Sequence, residues 1–357
     1  MTCTCSRLVR MSALTECCLL ALVLTVLGVA SARSQEIAAP RPLGTMAVLS
    51  GPTPCEGEEC FDIQVTCPEV AAQARGRLKV GAPESSTRKG TILLTTGGLG
   101  TGLYVGGESP RIVKELRASG FRTVQLQWAD SWLIGSPGKK EGHVRLACRP
   151  ATVARWVFDH LHDRSPSTAF CASGHSGGSA QVSYMLSHYG LEEILTAVVP
   201  TGGPPMARMD LSCARDDPAN ASLAYPDWAT RIIDAGFGFL APGDPASFNP
   251  FVAPASGPCA AGDASFAGTL RQSSVASGEG DYVYPRTMVW FVFEGIDDTH
   301  AVAMGMTYYD LLMRQGSPLV GKDTIPDVAH GGRMGLYASR EGANRIRDVL
   351  INECRPR

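Results

Sequence analysis

Short apolar stretches and amphipathic stretches alternate along most of the chain. Thr91–Thr96 is an apolar, β-branched run that stops at two glycines, which is typical of a buried strand. Ser109–Ser119 places apolar residues at helical spacing after a Ser-Pro start, and Gly120 ends the pattern. Further strands are predicted at Phe121–Trp128, Ala169–Ala172, Leu195–Val199 and Thr287–Phe293, and further helices at Pro150–His162, Gly177–Tyr189, Ala301–Arg314 and Arg340–Asn352. This alternation predicts an α/β fold with a mostly parallel sheet covered by helices on both faces.

The beginning of the predicted core has a different pattern. Phe61–Thr66 alternates apolar and polar residues and predicts a half-buried strand, with Arg77–Val80 as its hairpin partner. Residues 33–54 are rich in Pro, Ala and Gly, and we interpret them as a flexible leader. The catalytic core is therefore predicted to comprise residues 55–202 and 286–357.

The alternation breaks between residues 203 and 285. This stretch is dense in Pro, Gly, Asp and Ser, and Pro226–Ala235 is its one predicted short helix. A structureless loop of about 80 residues would be unusual in a compact domain. We therefore predict a cap or lid inserted after a strand.

The first 32 residues have the layout of a secretory signal peptide. Arg7 and Arg10 precede an uncharged, apolar run from Cys17 to Ala32 that ends in small residues. This run is 16 residues long, shorter than the ~20 that a bilayer requires. The pattern predicts cleavage after Ala32, a secreted or periplasmic location and no stable membrane span.

The cysteines support an exported protein. Of 12 cysteines, four precede the predicted cleavage site, and eight remain: Cys55, Cys60, Cys67, Cys148, Cys171, Cys213, Cys259 and Cys354. An even number in an exported chain favours a disulfide framework over a metal site, because the sequence has no Cys-x-x-Cys pair or clustered His. We predict a Cys213–Cys259 bond within the insert. A Cys148–Cys171 bond is also predicted, on the argument that both lie near the carboxyl edge of the strands.

Composition narrows the possible partners. Charged residues make up 18% of the chain and the formal net charge is −2. This balance gives no basic surface to attract nucleic acid or anionic lipid. We therefore expect neither nucleic acid nor a membrane as a partner.

The motif Gly174-His175-Ser176-Gly177-Gly178 carries the chemical argument. It matches G-x-S-x-G and lies between a predicted strand and a predicted helix, the setting of a nucleophile elbow. Such a turn strains the backbone at the serine, and glycines on either side remove Cβ atoms that would collide. Ser176 is the predicted nucleophile, and the Gly177 N–H is a predicted oxyanion donor.

A serine nucleophile needs a base and an acid, in the chain order Ser, Asp or Glu, His. His188 falls on the helix after the elbow and His300 at the start of another helix, which leaves His330, on a loop after the last strand, as the predicted base. The strand Thr287–Phe293 is followed by Glu-Gly-Ile-Asp-Asp, so Asp298 and Asp297 compete as the acid. Either aspartate can instead cap the next helix.

A second oxyanion donor is predicted in the loop Gly97-Gly98-Leu99-Gly100-Thr101-Gly102. Its four glycines allow the backbone to approach a substrate closely, and Gly98 and Leu99 are both candidates. A phosphate cradle is the alternative, but the Lys and Ser/Thr of a P-loop are missing.

Together these motifs resemble the α/β-hydrolase superfamily, from roughly Arg77 to Cys354. The resemblance is carried by the glycine-rich loop, the elbow, the insert, the Gly-x-x-Asp turn and the late histidine. It implies an eight-stranded sheet, a triad without metal or organic cofactor, and usually esterase or lipase activity. It also favours Asp298 over Asp297 as the acid.

The function expected is cleavage of carboxylic esters, small or polymeric, by a Ser176–His330–Asp298 triad through an acyl-enzyme. Candidate residues for an apolar substrate pocket are Trp128, Trp132, Trp228 and Phe237. A serine peptidase or amidase on the same scaffold is the main alternative. A catalytically silent secreted binding protein is the other, although such a scaffold has no need of a complete triad.

Overall fold

A nine-stranded sheet forms the centre of the molecule, in the order β1-β2-β3-β5-β4-β6-β7-β8-β9. The computed structural model describes residues 39–240, 257–330 and 335–356. The strands are β1 Thr45–Cys55, β2 Glu58–Thr66, β3 Ala74–Gly81, β4 Gly90–Thr95, β5 Phe121–Trp128, β6 Ala169–His175, β7 Ala197–Thr201, β8 Met288–Ile296 and β9 Val320–Ala329. The six strands from β5 to β9 in this order are parallel, whereas β1, β2 and β3 join them through antiparallel pairs. The sheet is thus mostly parallel, as predicted.

Helices cover both faces of the parallel part. The described α-helices are α1 Ser109–Ala118, α2 His143–Leu146, α3 Cys148–His160, α4 Gly177–Ser187, α5 Met209–Cys213, α6 Asp227–Gly236, α7 Ala267–Gln272, α8 Ala301–Gln315 and α9 Arg340–Glu353. Side chains of β4 alternate between two hydrophobic clusters: Leu93 packs on one face, and Ile92 and Leu94 on the other. Strands covered on both faces bury every side chain, which explains the continuous apolar runs at β4, β6 and β7.

The predicted leader contains the first strand. Thr45–Cys55 pairs antiparallel with β2, so the fold begins before residue 55, within the predicted leader. With this strand the sheet has nine strands rather than the expected eight. Nearly all of its side chains are exposed, so no apolar alternation marks it in the sequence. Prolines are tolerated because the strand lies at the edge of the sheet, where one side of the backbone needs no partner.

The predicted insert lies between β7 and β8 and contains α5, α6 and α7. Helix α6, Asp227–Gly236, matches the helix predicted at Pro226–Ala235 within one residue at each end. Residues 241–256 of the insert lie outside the described residues. The described part of the insert is therefore built around short helices.

All eight cysteines after residue 54 form disulfides: Cys55–Cys60, Cys67–Cys148, Cys171–Cys354 and Cys213–Cys259. The predicted Cys213–Cys259 bond is confirmed, and the predicted Cys148–Cys171 bond is wrong. Cys171 and Cys148 belong to hydrophobic clusters on opposite faces of the sheet. Residues in a strand point alternately to either face, and Cys171 points toward α9, which ends beside its true partner, Cys354.

The predicted signal peptide, residues 1–32, lies outside the described residues. Across the part of the chain that is described, no helix is long and apolar enough to cross a membrane.

Candidate active site

Ser176 occupies a strained turn between β6 and α4. Its φ of 51° and ψ of −117° are unfavourable for a residue with a side chain. A Cβ atom on Gly174 would lie 2.3 Å from the Gly178 carbonyl oxygen, and one on Gly178 would lie 2.4 Å from the Thr95 carbonyl oxygen. Both glycines are therefore required by the close packing of the turn, as the elbow motif predicts. The surrounding sheet holds the strain, since the Ser176 N–H donates to the Thr201 carbonyl at 2.8 Å.

His330 lies directly after β9 and reaches the serine. Its Nε2 is 2.9 Å from Ser176 Oγ, within hydrogen-bond distance, and the side chain is buried. The other two candidate histidines are held elsewhere. His188 contacts Ser187 and Ser277 through its two ring nitrogens, and His300 Nδ1 contacts the Ser222 carbonyl. The structure thus brings together the predicted nucleophile and the predicted base.

The carboxylate opposite His330 is Glu294 rather than the predicted Asp298. Glu294 Oε1 lies 3.4 Å from His330 Nδ1, and its side chain is fully buried. Asp298 is exposed, on the turn beyond the strand, and Asp297 accepts a hydrogen bond from the Ala303 N–H in the first turn of α8 at 2.7 Å. The prediction of Asp298 therefore needs correction, and the aspartate beside it caps a helix.

The sheet register explains this difference. Strand β8 continues to Ile296, three residues beyond its predicted end, and Ile296 lies opposite Ala329 of β9. The residue that follows β9 is His330, whose N–H donates to the Ile296 carbonyl. A side chain near the end of β8 is thus next to His330, whereas Asp298 has already left the sheet.

The Glu294 carboxylate is enclosed by backbone as well as by histidines. A Cβ atom on Gly202 or on Gly335 would lie 2.7 Å from a Glu294 carboxylate oxygen. Burial acts to raise the pKa of Glu294, but the neighbouring His330 and His175 outweigh it and hold the pKa below its usual value. The group is therefore a buried carboxylate anion in front of the His330 ring.

Two glycines meet beside the serine. A Cβ atom on Gly177 would lie 2.3 Å from the Gly98 carbonyl oxygen and 3.1 Å from the Gly98 nitrogen. Gly98, Gly177 and Ser176 line the same cavity. Leu99 follows in the chain, where its side chain packs against the core and its carbonyl accepts from the Trp132 N–H at 3.3 Å. The structure brings the predicted oxyanion loop to the elbow.

The cavity at Ser176 is small, about 50 Å³, and mostly apolar. Of the four aromatic residues predicted to line it, Trp228 does so, whereas Trp128, Trp132 and Phe237 are fully buried in the core. Sequence reasoning missed most of the lining: Leu133, Pro205, Met206, Tyr225, Ala229, Ile232, Ile233, Thr299 and Ala301. Helical spacing within the predicted helix Pro226–Ala235 was the one available signal, since Trp228, Ala229, Ile232 and Ile233 share a face of α6.

Three buried side chains in the site have the chemistry of metal ligands. One ligand atom each from His175, Glu294 and His330 lies within 4.8 Å of the others. However, His330 also contacts Ser176 through its second nitrogen, so its two nitrogens already join the serine to the carboxylate. The same geometry suits an acid–base pair, which uses these residues without a metal.

Comparisons with known proteins support the fold. The acylaminoacyl peptidase of Pyrococcus horikoshii matches with a TM-score of 0.52 and 10% identity, over 84% of this chain and 42% of that one. A puromycin-hydrolysing peptidase of Mycobacterium tuberculosis matches with a TM-score of 0.50 and 11% identity, over 83% and 39% of the two chains. Esterase Est1E of Butyrivibrio proteoclasticus matches with a TM-score of 0.48 and 11% identity, over 82% and 98%. The chain spans about two fifths of the length of the two peptidases.

No protein-family model matches the sequence, and comparison with curated proteins finds no match. The likeness to the two peptidases is therefore one of architecture. Together with the sheet order and the elbow, it shows that the chain has the α/β-hydrolase fold.

Proposed function

We propose that this protein is a serine hydrolase that cleaves carboxylic esters with Ser176 as nucleophile and His330 as general base. The 2.9 Å contact between Ser176 Oγ and His330 Nε2, on a strained elbow, is the observation that carries the proposal. A hydroxyl is a weak nucleophile until an adjacent base removes its proton. The elbow supplies both a hydroxyl that lines the cavity and a fixed geometry.

In the reaction, Ser176 Oγ attacks the ester carbonyl carbon while its proton passes to His330 Nε2. The carbonyl oxygen becomes an oxyanion, for which the N–H of Gly177 and an N–H of Gly98 or Leu99 are the proposed donors. Collapse of this intermediate breaks the carbon–oxygen bond, and the alcohol leaves with the proton from His330. Water then repeats the sequence on the acyl-enzyme and releases the acid.

We propose Glu294 as the acid of the triad. A carboxylate facing Nδ1 keeps the proton on that nitrogen, which leaves Nε2 free to accept the serine proton, and it stabilises the imidazolium that forms. The 3.4 Å separation is longer than a strong hydrogen bond. Catalytic hydrogen bonds are often long without substrate and shorten in the transition state.

The cavity lining supports an uncharged, apolar acyl group as the part of the substrate next to Ser176. Leu133, Met206, Ile232 and Ile233 offer hydrocarbon surface there. A volume of about 50 Å³ suits a short acyl chain. Replacing Ile232 with Ala should enlarge the cavity and improve the kcat/KM of longer acyl esters over acetate by about tenfold, on the scale that a few methylenes contribute.

The test is hydrolysis of p-nitrophenyl esters of graded chain length beside a p-nitroanilide of the same acyl group. Ester turnover that is lost in Ser176→Ala and kept in Ser183→Ala is the expected result. Ser183 lies on the same helix, and its buried hydroxyl has no partner among the described residues, which makes it a matched control. Preferred cleavage of the anilide would replace the esterase proposal with the peptidase or amidase, and no turnover of either would favour a silent binding protein.

We also propose that the protein is exported and that residues 1–32 are removed. Four disulfides support this, since such bonds persist in oxidising compartments. Protein recovered from the medium or periplasm should begin at Arg33 and react with a thiol reagent only after reduction. Eight free thiols, or an intact amino terminus, would contradict export.

A further inference from the structure

The acid of the proposed triad faces two histidines rather than one. Glu294 Oε1 lies 3.4 Å from His330 Nδ1 and 3.8 Å from His175 Nδ1. Among the described groups, neither carboxylate oxygen has a hydrogen bond of ordinary geometry. A buried carboxylate in this position depends on nearby N–H dipoles to hold it. The second histidine is the residue that precedes the nucleophile.

Hydrogen bonding orients the His175 ring. Its Nδ1 lies 3.3 Å from Thr201 Oγ1, and the Thr201 hydroxyl donates its one proton to the Gly174 carbonyl. The threonine oxygen can therefore only accept from His175, which places a proton on Nδ1. Burial lowers the pKa of His175 to about 4, so the ring is neutral at neutral pH. The Nδ1–H therefore donates to Thr201 Oγ1, and the positive end of this bond also lies near Glu294, with Nδ1 3.8 Å from Glu294 Oε1.

Packing fixes the same ring against the base. The rings of His175 and His330 are stacked, with centroids 5.1 Å apart and planes at 28°. The Tyr337 ring forms a T-shaped pair with His175, with centroids 5.9 Å apart. A Cβ atom on Gly202 or Gly335 would lie 2.6 to 2.8 Å from atoms of the His175 ring. The described titratable groups that face Glu294 are therefore His175 and His330, with Tyr337 behind His175.

We propose that His175 is a positioning residue that holds the Glu294 carboxylate toward His330, and this inference rests on the proposed function. It does not touch the reacting atoms. Its Nδ1–H attracts the carboxylate, and its ring limits the rotation of the His330 ring that it covers. Without it, Glu294 keeps its charge but loses one of the two dipoles that define its place. The transition state, in which His330 is positively charged, then loses stabilisation while substrate binding is unchanged.

Two variants separate the dipole from the ring. His175→Phe keeps an aromatic ring and removes the nitrogen, whereas His175→Asn places an amide N–H near the position of Nδ1. We expect His175→Phe to lower kcat by about 10- to 100-fold with little change in KM, as a small misplacement does. The acid limb of the kcat/KM profile should move to lower pH, because a misplaced carboxylate stabilises the imidazolium less. His175→Asn should recover most of the kcat.

His162→Phe is the matched control. His162 is also buried, its Nδ1 lies 3.2 Å from Thr91 Oγ1, and its ring is stacked on Phe158. The loss of a buried histidine–threonine contact is thus the same, and kcat and the pH profile should not change.

The measurement is ester turnover from pH 4 to 9 for the wild type and the three variants, with thermal unfolding recorded for each. Wild-type kcat and an unmoved acid limb in folded His175→Phe would overturn the inference while leaving the proposed function intact. Equal losses in folded His175→Phe and His175→Asn would also overturn it, because the amide would then not replace the dipole. Absence of Ser176-dependent turnover in the wild type would instead remove the proposed function itself.

Discussion

The elbow after β6 and the end of β8 supply opposite sides of the same site, and they differ in how their sequences encode it. At the elbow, local sterics determine the position of Ser176. The turn is so closely packed that it needs glycines at 174 and 178, and it holds Ser176 at a strained φ. At the end of β8, the position of Glu294 depends on pairing with β9, which lies about 30 residues later in the chain. A motif of five residues therefore locates the proposed nucleophile, whereas the position of the proposed acid is determined by long-range register.

The difference shows where a local motif can mislead. The Gly-x-x-Asp turn points to Asp298, but extending β8 by three residues brings Glu294 to the edge of the sheet instead. Four experiments test this contrast between a locally encoded and a register-encoded side of the site.

The largest loss of kcat is expected at the contact between Ser176 and His330, where the two sides of the site meet. His330→Ala should lower kcat by about 10⁴–10⁶, as much as Ser176→Ala should, because the proposed base and nucleophile would act as one unit. The double variant should be little worse than either single one. Additive losses in steady-state ester hydrolysis would show that the two residues act independently and would break the proposed pair.

The next largest loss of kcat is expected on replacing Glu294, the proposed acid. Glu294→Gln should lower kcat by about 10³–10⁴, since the amide cannot stabilise the imidazolium. Asp298→Asn should keep most of the activity, and Asp297→Ala should lose about 1 kcal/mol of stability as a helix cap with little loss of kcat. Ester kinetics with urea unfolding distinguish these outcomes. An inactive Asp298→Asn beside an active Glu294→Gln would restore the acid expected from the sequence.

The parallel sheet could be predicted because its strands are buried on both faces and therefore carry unbroken apolar runs, as at β4 and β6. Strand β1 could not, since its side chains face solvent and main-chain pairing with β2 defines it. Its sequence is compatible with a leader or an edge strand. Only the presence of β2 beside it distinguishes the two.

Some residues of the site could likewise be predicted from the sequence, and others could not. Ser176, Gly177, Gly98 and His330 could be found from motifs and chain order, and the structure brings them together. Three of the four predicted pocket aromatics are core residues, because a large apolar side chain in a sequence carries no sign of which face it will occupy. The predicted Cys148–Cys171 bond was wrong for a related reason: the face to which Cys171 points depends on strand alternation that spacing alone does not reveal.

The insert offers a third test, on stability. Removing the Cys213–Cys259 bond by a double serine substitution should cost about 4 kcal/mol, because its 46-residue separation restricts the unfolded chain strongly. The same change at Cys55–Cys60, with a separation of 5, should cost about 2 kcal/mol. Urea unfolding of both variants gives the comparison. Equal losses would mean that chain entropy does not account for how the insert is held.

The smallest expected effect is on the pH dependence of stability, and it comes from His143 at the contact between α2 and the end of α6. His143 is fully buried beside Phe237, and neither ring nitrogen has a partner among the described groups. Burial lowers the pKa of His143 to about 3, whereas an unfolded histidine titrates near 6.5. Below about pH 6.5 the unfolded chain therefore binds a proton that the native chain does not, and the free energy of unfolding falls as the pH drops toward 3.

His143→Leu should remove this term, which amounts to about 2 kcal/mol between pH 6.5 and 5. The measurement is the change in unfolding free energy between these two pH values for wild type and variant, since the other buried histidines contribute equally to both. If the unfolding free energy of the two proteins changed equally with pH, His143 would not be held neutral beside Phe237.

One measurement tests the central claim most directly: incubation of the intact protein with a fluorophosphonate, followed by mass determination and peptide mapping. The reagent forms a bond only with a serine that a neighbouring base has activated. We predict one adduct per chain, on Ser176, and none in Ser176→Ala or His330→Ala. An adduct on another residue, or labelling that persists in Ser176→Ala, would contradict the account.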